Sequence, residues 1–402
     1  MNDAARPRRI LPVIVLSQFA GTSLWFAGNA VLGELQRSWN LGADALGPVT
    51  SAVQLGFIAG TLAFAFFSVA DRYSPRKVFL LCSLLGAASH LALLLIEGSY
   101  SELLALRFAT AFFLAGIYPV GMKIAAGWYQ RDLGSAIGFL VGALAIGTAF
   151  PHLLKSAGQA LPWALVTVAV SATAAIGGLL MFLLVPDGPY LRRAPRFDPR
   201  AIAVIFRSPA FRASAFGYFG HMWELYAFWA FAPVALAGQF ARIGAELNVP
   251  FWSFCVIAAG SVGCIAGGLI SLKAGSARVA FAQLATSGAC CVLSPLFYHA
   301  PTPLFLGFML IWGITVLGDS PQFSALNAQN APRDLVGSAL TIGNCIGFSI
   351  TIASIQLLNQ LTIAGTDNAL LFLPLAAGPL FGLIAMMPLV RNRTSAQQLR
   401  SS

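Results

Sequence analysis

The sequence predicts an all-α integral membrane protein in which twelve transmembrane helices form two six-helix repeats of parallel topology. Three observations support this fold class: the composition, a series of long apolar stretches and an internal repeat. Of the 402 residues, 58% are apolar and 9% are charged, and the mean hydropathy is +0.78, whereas a soluble domain carries about 25% charged residues. So much apolar surface excludes a secreted disulfide scaffold, a nucleic-acid-binding domain and a disordered regulator.

Twelve apolar stretches are long enough to cross a bilayer, for which about 20 helical residues suffice. The first follows Arg6, Arg8 and Arg9 and so resembles a secretory signal, but it exceeds the roughly 7–15 apolar residues of such a signal. We therefore predict that it is a retained span. The approximate bounds are 10–33, 48–70, 78–96, 103–128, 134–154, 162–185, 211–237, 251–272, 279–298, 303–330, 335–360 and 368–390.

The distribution of basic residues predicts the orientation, because Lys and Arg in short loops stay in the cytoplasm. Arg37, Lys155 and Arg242 fall on one side of the membrane, and Arg107 lies within a span. The other side holds the remaining 20 of the 24 basic residues, among them the arginines near both termini. We therefore attribute the net charge of +10 to the basic loops that orient the chain in the membrane. Both termini are expected in the cytoplasm, and the chain in the plasma (bacterial inner) membrane.

An internal repeat relates the two halves of the chain at an offset of 202 residues. The matching positions are Pro119 and Pro321, Arg131-Asp132-Leu133 and Arg333-Asp334-Leu335, Ser74 and Ser276, and Arg76 and Arg278. Parallel repeats are common in transporters, whose sites lie between the repeats. We therefore predict an N-terminal six-helix half over 1–185, a cytoplasmic linker over 186–210 and a C-terminal six-helix half over 211–402.

The loop after the second span carries a recognisable pattern, Phe67-Ser68-Val69-Ala70-Asp71-Arg72-Tyr73-Ser74-Pro75-Arg76-Lys77. It resembles the signature Gly-x-x-x-Asp-Arg-x-Gly-Arg-Arg/Lys of the major facilitator superfamily, although Phe67 and Ser74 replace the glycines and Pro75 replaces a basic residue. Arg107 looks like the family's arginine in the fourth span. The resemblance covers all twelve spans. It implies a secondary transporter whose first, fourth, seventh and tenth helices line a central cavity, about which the halves rock.

Within this loop, Asp71, Arg72, Arg76 and Lys77 form a candidate conformational latch. A carboxylate beside basic groups at a cytoplasmic helix end can make ion pairs and helix-end contacts in one state of a rocking protein and lose them in the other. The alternative is that these charges serve only as topology signals. The Asp71-Arg72 order favours the latch.

Two acids lie near the middle of the seventh and tenth spans, Glu224 and Asp319. Charged groups at that depth are costly and usually face a cavity. A carboxyl in a partly dry cavity can take up a proton on one side of the membrane and release it on the other, so both acids are candidates for proton coupling or substrate contact. The alternative is a buried acid that a neighbouring Ser, Asn or backbone group satisfies. We favour Glu224 as the proton carrier and Asp319 as the substrate contact.

Further candidate site residues lie on the presumed cavity helices. His221, one turn before Glu224, can tune that acid or hydrogen-bond a neighbouring helix. Arg107 can bind an anionic substrate or offset the negative charge of the two acids. Aromatic rings here can stack against an organic solute, although lipid or helix contacts equally explain them. These further residues are Tyr118, Trp25, Trp312 and, on the face of Trp312 and Asp319, Gln322.

The sequence therefore predicts a secondary active transporter that moves a small organic solute by alternating access, with proton-coupled uptake. The fifth span has Pro151 after Phe150 and lacks the Gly-Pro-x-x-Gly-Gly element of the superfamily's exporters, which favours uptake over the alternative, an antiporter that exports amphipathic compounds. A different alternative is a non-transporting receptor or an intramembrane enzyme that uses Glu224 and Asp319.

Familiar nucleotide-binding, hydrolase and metalloprotease motifs do not occur in the sequence, so we do not expect an enzyme. The spacing of His221 and Glu224 supplies two ligands, too few for a metal site. We expect no cofactor, no metal and no nucleic acid. The expected partners are a small-molecule substrate, protons and the lipid bilayer, and we expect the chain to act as a monomer.

Overall fold

The computed structural model describes residues 7–96, 98–129, 133–157, 161–191 and 197–401, and the side chains among these up to residue 391. Within these residues every regular element is helical. The first nine α-helices are α1 (Ile10–Thr22), α2 (Ala27–Trp39), α3 (Leu46–Phe66), α4 (Val69–Arg72), α5 (Pro75–Leu91), α6 (Tyr100–Leu114), α7 (Tyr118–Trp128), α8 (Leu133–Ser156) and α9 (Trp163–Leu184).

The second half of the chain continues the same plan. Its helices are α10 (Ala201–Ile205), α11 (Pro209–Ile243), α12 (Val249–Ala258), α13 (Gly260–Ala274), α14 (Ser276–Tyr298), α15 (Thr302–Gly318), α16 (Ser320–Asn330), α17 (Val336–Ile363) and α18 (Ala377–Ser401). Short 3₁₀ segments precede α3, α17 and α18 and follow α5.

Eleven spans among the described residues are long and apolar enough to cross a membrane. The twelfth predicted span is α11, whose 35 residues extend about 52 Å at the 1.5 Å rise of an α-helix. Observed helices lie in all twelve predicted stretches, and most extend beyond them by a few residues at one end or both. The predicted fold class, an all-α membrane protein of twelve spans, is therefore confirmed.

Helix starts follow ordinary capping chemistry. The hydroxyl of Ser208 accepts the backbone N–H of Phe211 at the start of α11, where Pro209 occupies the first turn. The side chain of Asn248 caps α12 in the same way by accepting the N–H of Phe251. Such residues satisfy amide donors that have no partner within the helix, and Pro fits the first turn because it lacks that donor. The start of the helix that carries His221 and Glu224 is therefore set locally.

Four spans consist of two helices each: α1 with α2, α6 with α7, α12 with α13, and α15 with α16. The helices α7 and α16 both contain 11 residues, begin 202 positions apart and carry a proline at their second position, Pro119 and Pro321. The repeat found in the sequence is therefore visible in the backbone. Two of its matching residues, Arg131 and Asp132, lie outside the described residues.

The chain divides into two compact units. Unit 1 comprises Met1–Ala194 and Leu247–Ser261, and unit 2 comprises Pro195–Glu246 and Val262–Ser402. The predicted halves, 1–185 and 211–402, and the predicted linker, 186–210, stay predictions, and residues 192–196 of that linker lie outside the described residues. Unit 2 contains His221, Glu224 and Asp319. Unit 1 contains Arg107 and the candidate latch.

Candidate functional site

Glu224 lies near the middle of α11 and is almost completely buried. Three neutral side chains donate hydrogen bonds to its carboxylate. Trp312 Nε1 donates to Oε1 over 2.6 Å, Ser287 Oγ to Oε2 over 2.9 Å and Cys291 Sγ to Oε1 over 3.4 Å. These donors belong to α14 and α15. The carboxylate therefore connects three helices, and its burial is compensated by hydrogen bonds.

Asp319 lies at the junction between α15 and α16 and is fully buried. Its close side-chain neighbour is His221, whose Nδ1 lies 2.8 Å from Asp319 Oδ1. The backbone amides of Asp319 and Ser320 also lie near the carboxylate, but neither oxygen accepts a hydrogen bond of regular geometry from the described residues. Asp319 is thus in close contact with a titratable ring and is otherwise open to a further partner.

The two acid sites are linked through the same pair of spans. On α11, His221 and Glu224 are three residues apart and share one face. His221 contacts Asp319 at the junction of the two neighbouring helices α15 and α16. Glu224 accepts a hydrogen bond from Trp312, which lies in α15 seven residues before Asp319. The expectations that His221 tunes Glu224 and that Glu224 carries the proton stay predictions.

Two residues of this cluster, Ser287 and Cys291, were not among the candidates from the sequence. They lie four residues apart on α14 and therefore on one face, which is turned toward Glu224. The only sequence signal for these two partners was a Ser and a Cys four residues apart in one apolar span. Small residues of this kind more often pack helices, so the pattern did not identify the acid's partners.

Apolar rings surround the polar cluster. The ring centroid of Trp312 lies 4.5 Å from that of Phe228 and 5.2 Å from that of Phe372. The His221 ring lies 5.8 Å from the ring of Phe323, which follows the buried Gln322 on α16. In such surroundings hydrogen bonds are stronger and unpaired polar groups cost more than in water. Gln322 makes no hydrogen bond to the acids in the described residues.

Arg107 lies in unit 1, on α6, and is also fully buried. Its Nη2 donates to the carbonyl oxygens of Leu24, at 3.2 Å, and Trp25, at 2.7 Å, in the interruption between α1 and α2. Its Nη1 lies 3.4 Å from His90 Nδ1. The carbonyls left free where a helix ends carry partial negative charge. The guanidinium therefore binds the broken first span.

Trp25 and Tyr118 lie together beside that interruption. The Trp25 ring centroid is 6.2 Å from that of Tyr118 and 4.8 Å from that of Phe57. Trp25 is fully buried and Tyr118 is half-buried. These rings pack the interruption between α1 and α2 against α3 and α7 within unit 1.

In the candidate latch, Asp71 forms an ion pair with Lys123, with Oδ1 and Nζ 2.5 Å apart. Lys123 belongs to α7. Arg76 donates to the carbonyl oxygen of Phe182 over 3.4 Å and lies over its ring at 5.4 Å. Arg72 and Lys77 are exposed. The contacts of Asp71 and Arg76 thus link the loop after α3 to α7 and α9.

Solved structures of transporters resemble the whole chain. The proton:xylose symporter XylE bound to 6-bromo-6-deoxy-D-glucose matches with a TM-score of 0.71 at 13% identity, over 95% of this chain and 96% of that chain. A variant of the nucleoside transporter NupG matches with 0.69 at 15% identity, over 94% and 99%. The human organic anion transporter MFSD10 (TETRAN) matches with 0.68 at 16% identity, over 95% and 100%. At these identities the likeness shows the fold.

No curated protein matches the chain by sequence. The family model for the Major Facilitator Superfamily matches residues 13–355, which is most of the chain. This match confirms the resemblance that the loop after the second span indicated. The chain therefore belongs to the Major Facilitator Superfamily and is a membrane transporter rather than an enzyme.

Proposed function

We propose that this transporter is secondary active, that it takes up a small organic solute by alternating access and that protons drive the uptake. The observation that carries the proposal is the pair of buried carboxylates, Glu224 and Asp319, in membrane-spanning helices of unit 2. Ionisable groups in such segments are costly, and they commonly mark ion and substrate pathways. Neither acid has a Lys or Arg ion-pair partner among the described residues.

The absence of such a permanent cation matters for coupling. A carboxylate fixed by Arg or Lys is held ionised, whereas one beside neutral donors or an imidazole can change its protonation state when water reaches it. Asp319 with His221 and Glu224 with Trp312 both fit the second description. This is why we favour protons over a mechanism without ion coupling.

An organic solute is supported by the chemistry of the candidate residues and by the relatives. Indole, phenol, amide and guanidinium groups can contact an organic ring or its polar substituents. The structurally similar proteins include transporters of xylose, a nucleoside and organic anions. Within unit 2 we propose Trp312 and Gln322 as substrate contacts beside the acids. Within unit 1 we propose Trp25 and Tyr118 as substrate contacts, with Arg107 acting through its support of the first span.

We further propose that Asp71, Arg72, Arg76 and Lys77 form a latch that stabilises one transport state. The Asp71–Lys123 ion pair and the Arg76–Phe182 contact support this role because they connect different spans. The proposed location is a bacterial inner membrane with both termini in the cytoplasm, and the proposed transporting species is a monomer.

The test begins with a solute. Purified protein is screened by thermal shift against nucleosides, pentoses and organic anions, because a ligand at 100 times its Kd stabilises by about 2.7 kcal/mol. A stabilising solute is then supplied to proteoliposomes under an imposed pH gradient. Proton-coupled uptake predicts accumulation when the outside is acidic, since solute and proton enter together.

The same assay distinguishes the alternatives. Accumulation when the vesicle lumen is acidic would identify a proton antiporter, the mechanism expected of an exporter of amphipathic compounds. Equilibration without accumulation under either gradient would refute proton coupling. Binding without any flux would indicate a receptor.

A further inference from the structure

The two buried acids of unit 2 are bound in different ways. All three hydrogen bonds to Glu224 come from donors on α14 and α15, so this carboxylate is a fixed junction between helices. Asp319 contacts His221 at 2.8 Å, and its oxygens accept no hydrogen bond of regular geometry from the described residues. We propose that Asp319, together with His221, carries the coupling proton, and that Glu224 is a positioning residue. This proposal rests on the proposed proton-coupled function.

Protonation has a different structural cost at the two sites. Hydrogen bonds to an ionised acceptor are roughly twice as strong as neutral ones. A proton on Glu224 would therefore weaken its bonds from Trp312, Ser287 and Cys291 together and loosen the junction of α11, α14 and α15. A proton on Asp319 affects its contact with His221 and the nearby amides of Asp319 and Ser320, but no donors from α14 or from the body of α15. The geometry therefore favours Asp319 and His221 as the group that exchanges the proton.

The imidazole gives this pair a place to hold the proton. With its Nδ1 facing Asp319, the second nitrogen of His221, Nε2, makes no hydrogen bond to the described residues. A proton taken from water on one side can reside on Nε2 or on the carboxylate, which changes the net charge of the pair from −1 to zero. Its release to water on the other side restores −1. No bond other than that to the transferred proton forms or breaks.

Because Asp319 lies at the junction between two helices, a change in its charge can alter how α15 and α16 meet. Asp319 separates α15 from α16, and Pro321 in the first turn of α16 supplies no backbone N–H. The titratable groups that face the pair all lie within unit 2: Glu224 and Tyr218 of α11, and Cys264 of α13. Cys291 of α14 reaches Glu224 rather than Asp319. Glu224 and Asp319 thus interact electrostatically within unit 2.

The experiment uses the proton itself as the probe, so that no transported solute is required. Infrared difference spectra of the purified full chain are recorded between about pH 5 and about pH 9, the range in which an imidazole–carboxylate pair can exchange a proton. We expect a buried protonated-carboxyl band on acidification in the wild type. The band should be lost in Asp319→Asn and kept in Glu224→Gln. In His221→Gln its midpoint should move by about one pH unit, a tenfold change in proton affinity.

The positioning role of Glu224 has its own readout. Glu224→Gln keeps an acceptor for the Trp312 N–H, whereas Glu224→Ala leaves the donors of Trp312, Ser287 and Cys291 without their acceptor. Both variants remove the charge of Glu224 and should shift the midpoint of the Asp319 band alike. We expect only Glu224→Ala to broaden the band as well, because only this variant leaves the junction of α11, α14 and α15 without an acceptor. Asp334→Asn removes an exposed carboxyl and should leave the band unchanged.

Three results would overturn the assignment. These are loss of the band in Glu224→Gln, its persistence in Asp319→Asn, and the absence from the wild type of any pH-dependent carboxyl or imidazole band. Failure of the proposed function would look different, because the wild type would show the band and yet accumulate no solute under a pH gradient.

Discussion

At the scale of single residues, Trp312 shows how one side chain can combine apolar packing with polar compensation. Its ring packs on Phe228 and Phe372, and its N–H donates to Glu224. A buried carboxylate without donors would cost several kcal/mol. The same residue thus contributes to the core and makes a buried charge tolerable.

Replacing this donor should lower stability. Trp312→Phe keeps an aromatic ring but removes the N–H, and a buried hydrogen bond to a charged group contributes about 1.5–3 kcal/mol. We expect a lower thermal denaturation midpoint in detergent. Trp252→Phe makes the same change at a half-buried position of α12 and serves as the control. Equal midpoints for the two variants would contradict the importance of the Trp312–Glu224 bond.

The Asp71–Lys123 pair should influence transport more than stability. Both side chains are 21% exposed, and partly exposed ion pairs contribute at most about 1 kcal/mol. We expect Asp71→Asn to slow solute flux several-fold while expression and solute binding stay close to wild type. Reversing the pair, with Asp71→Lys and Lys123→Asp together, should recover part of the flux.

The control for this experiment is Lys273→Gln, which changes an exposed residue 202 positions after Asp71, on the side that we propose to be cytoplasmic. Flux at the wild-type rate in Asp71→Asn would show that the loop charges serve topology alone.

Sequence reasoning located the acids, but it did not predict which side chain each acid contacts, for a physical reason. A charge in an apolar span is visible from composition, so Glu224, Asp319 and Arg107 could be found. At 100° per residue His221 and Glu224 lie about 60° apart on α11, close enough to share a face yet far enough to meet different neighbours. Which neighbour each meets depends on the packing of α14 and α15, and the sequence of α11 does not contain that information.

At the scale of elements, the spans were predictable and their interruptions largely were not. The length of each apolar stretch defines a span to within a few residues. The interruption between α1 and α2 lies in the apolar segment Ser23-Leu24-Trp25-Phe26, which contains neither Gly nor Pro. The interruption is stabilised by Arg107 of α6, whose guanidinium donates to the backbone carbonyl oxygens of Leu24 and Trp25. Pro321, in contrast, stands in the first turn after the break at Asp319, and proline is an ordinary sequence signal for such a break.

Two glycines of α2 test this support of the first span. A Cβ at Gly28 would lie 2.7 Å from Arg107 Nε, whereas a Cβ at Gly33 would meet nothing within 4 Å. We expect Gly28→Ala to displace the guanidinium and to destabilise by about 1–3 kcal/mol, the usual cost of overpacking. Gly33→Ala should be neutral or stabilising by up to about 1 kcal/mol, because Ala is the better helix former. Thermal denaturation of the two variants measures the difference, and a common shift would argue against a role for Arg107 in holding α1 and α2.

At the scale of the whole molecule, charge determines orientation and the repeat determines architecture. The excess of basic residues on one side is a signal summed over many loops, so it is insensitive to the details of any one loop. The helices, in turn, follow the repeat closely enough that α7 and α16 correspond residue for residue.

The orientation can be measured by labelling. Ser101 is exposed near the start of α6, in a loop expected outside, and Tyr73 is exposed in a loop expected inside. In intact cells a membrane-impermeant maleimide should label Ser101→Cys and not Tyr73→Cys. The native cysteines are buried or half-buried, which limits background. Tags at either terminus should be inaccessible, and labelling of a terminus in sealed cells would reverse the proposed topology.

The 202-residue register also bears on the placement of the acid cluster. Moved back by that offset, Glu224 corresponds to Thr22, His221 to Phe19, Trp312 to Thr110 and Asp319 to Ile117, while Arg107 corresponds forward to Met309. At these positions each repeat thus carries ionisable side chains where the other has uncharged ones. The matching backbone therefore supports two different sets of buried charges, an arginine in the first repeat and two acids with a histidine in the second.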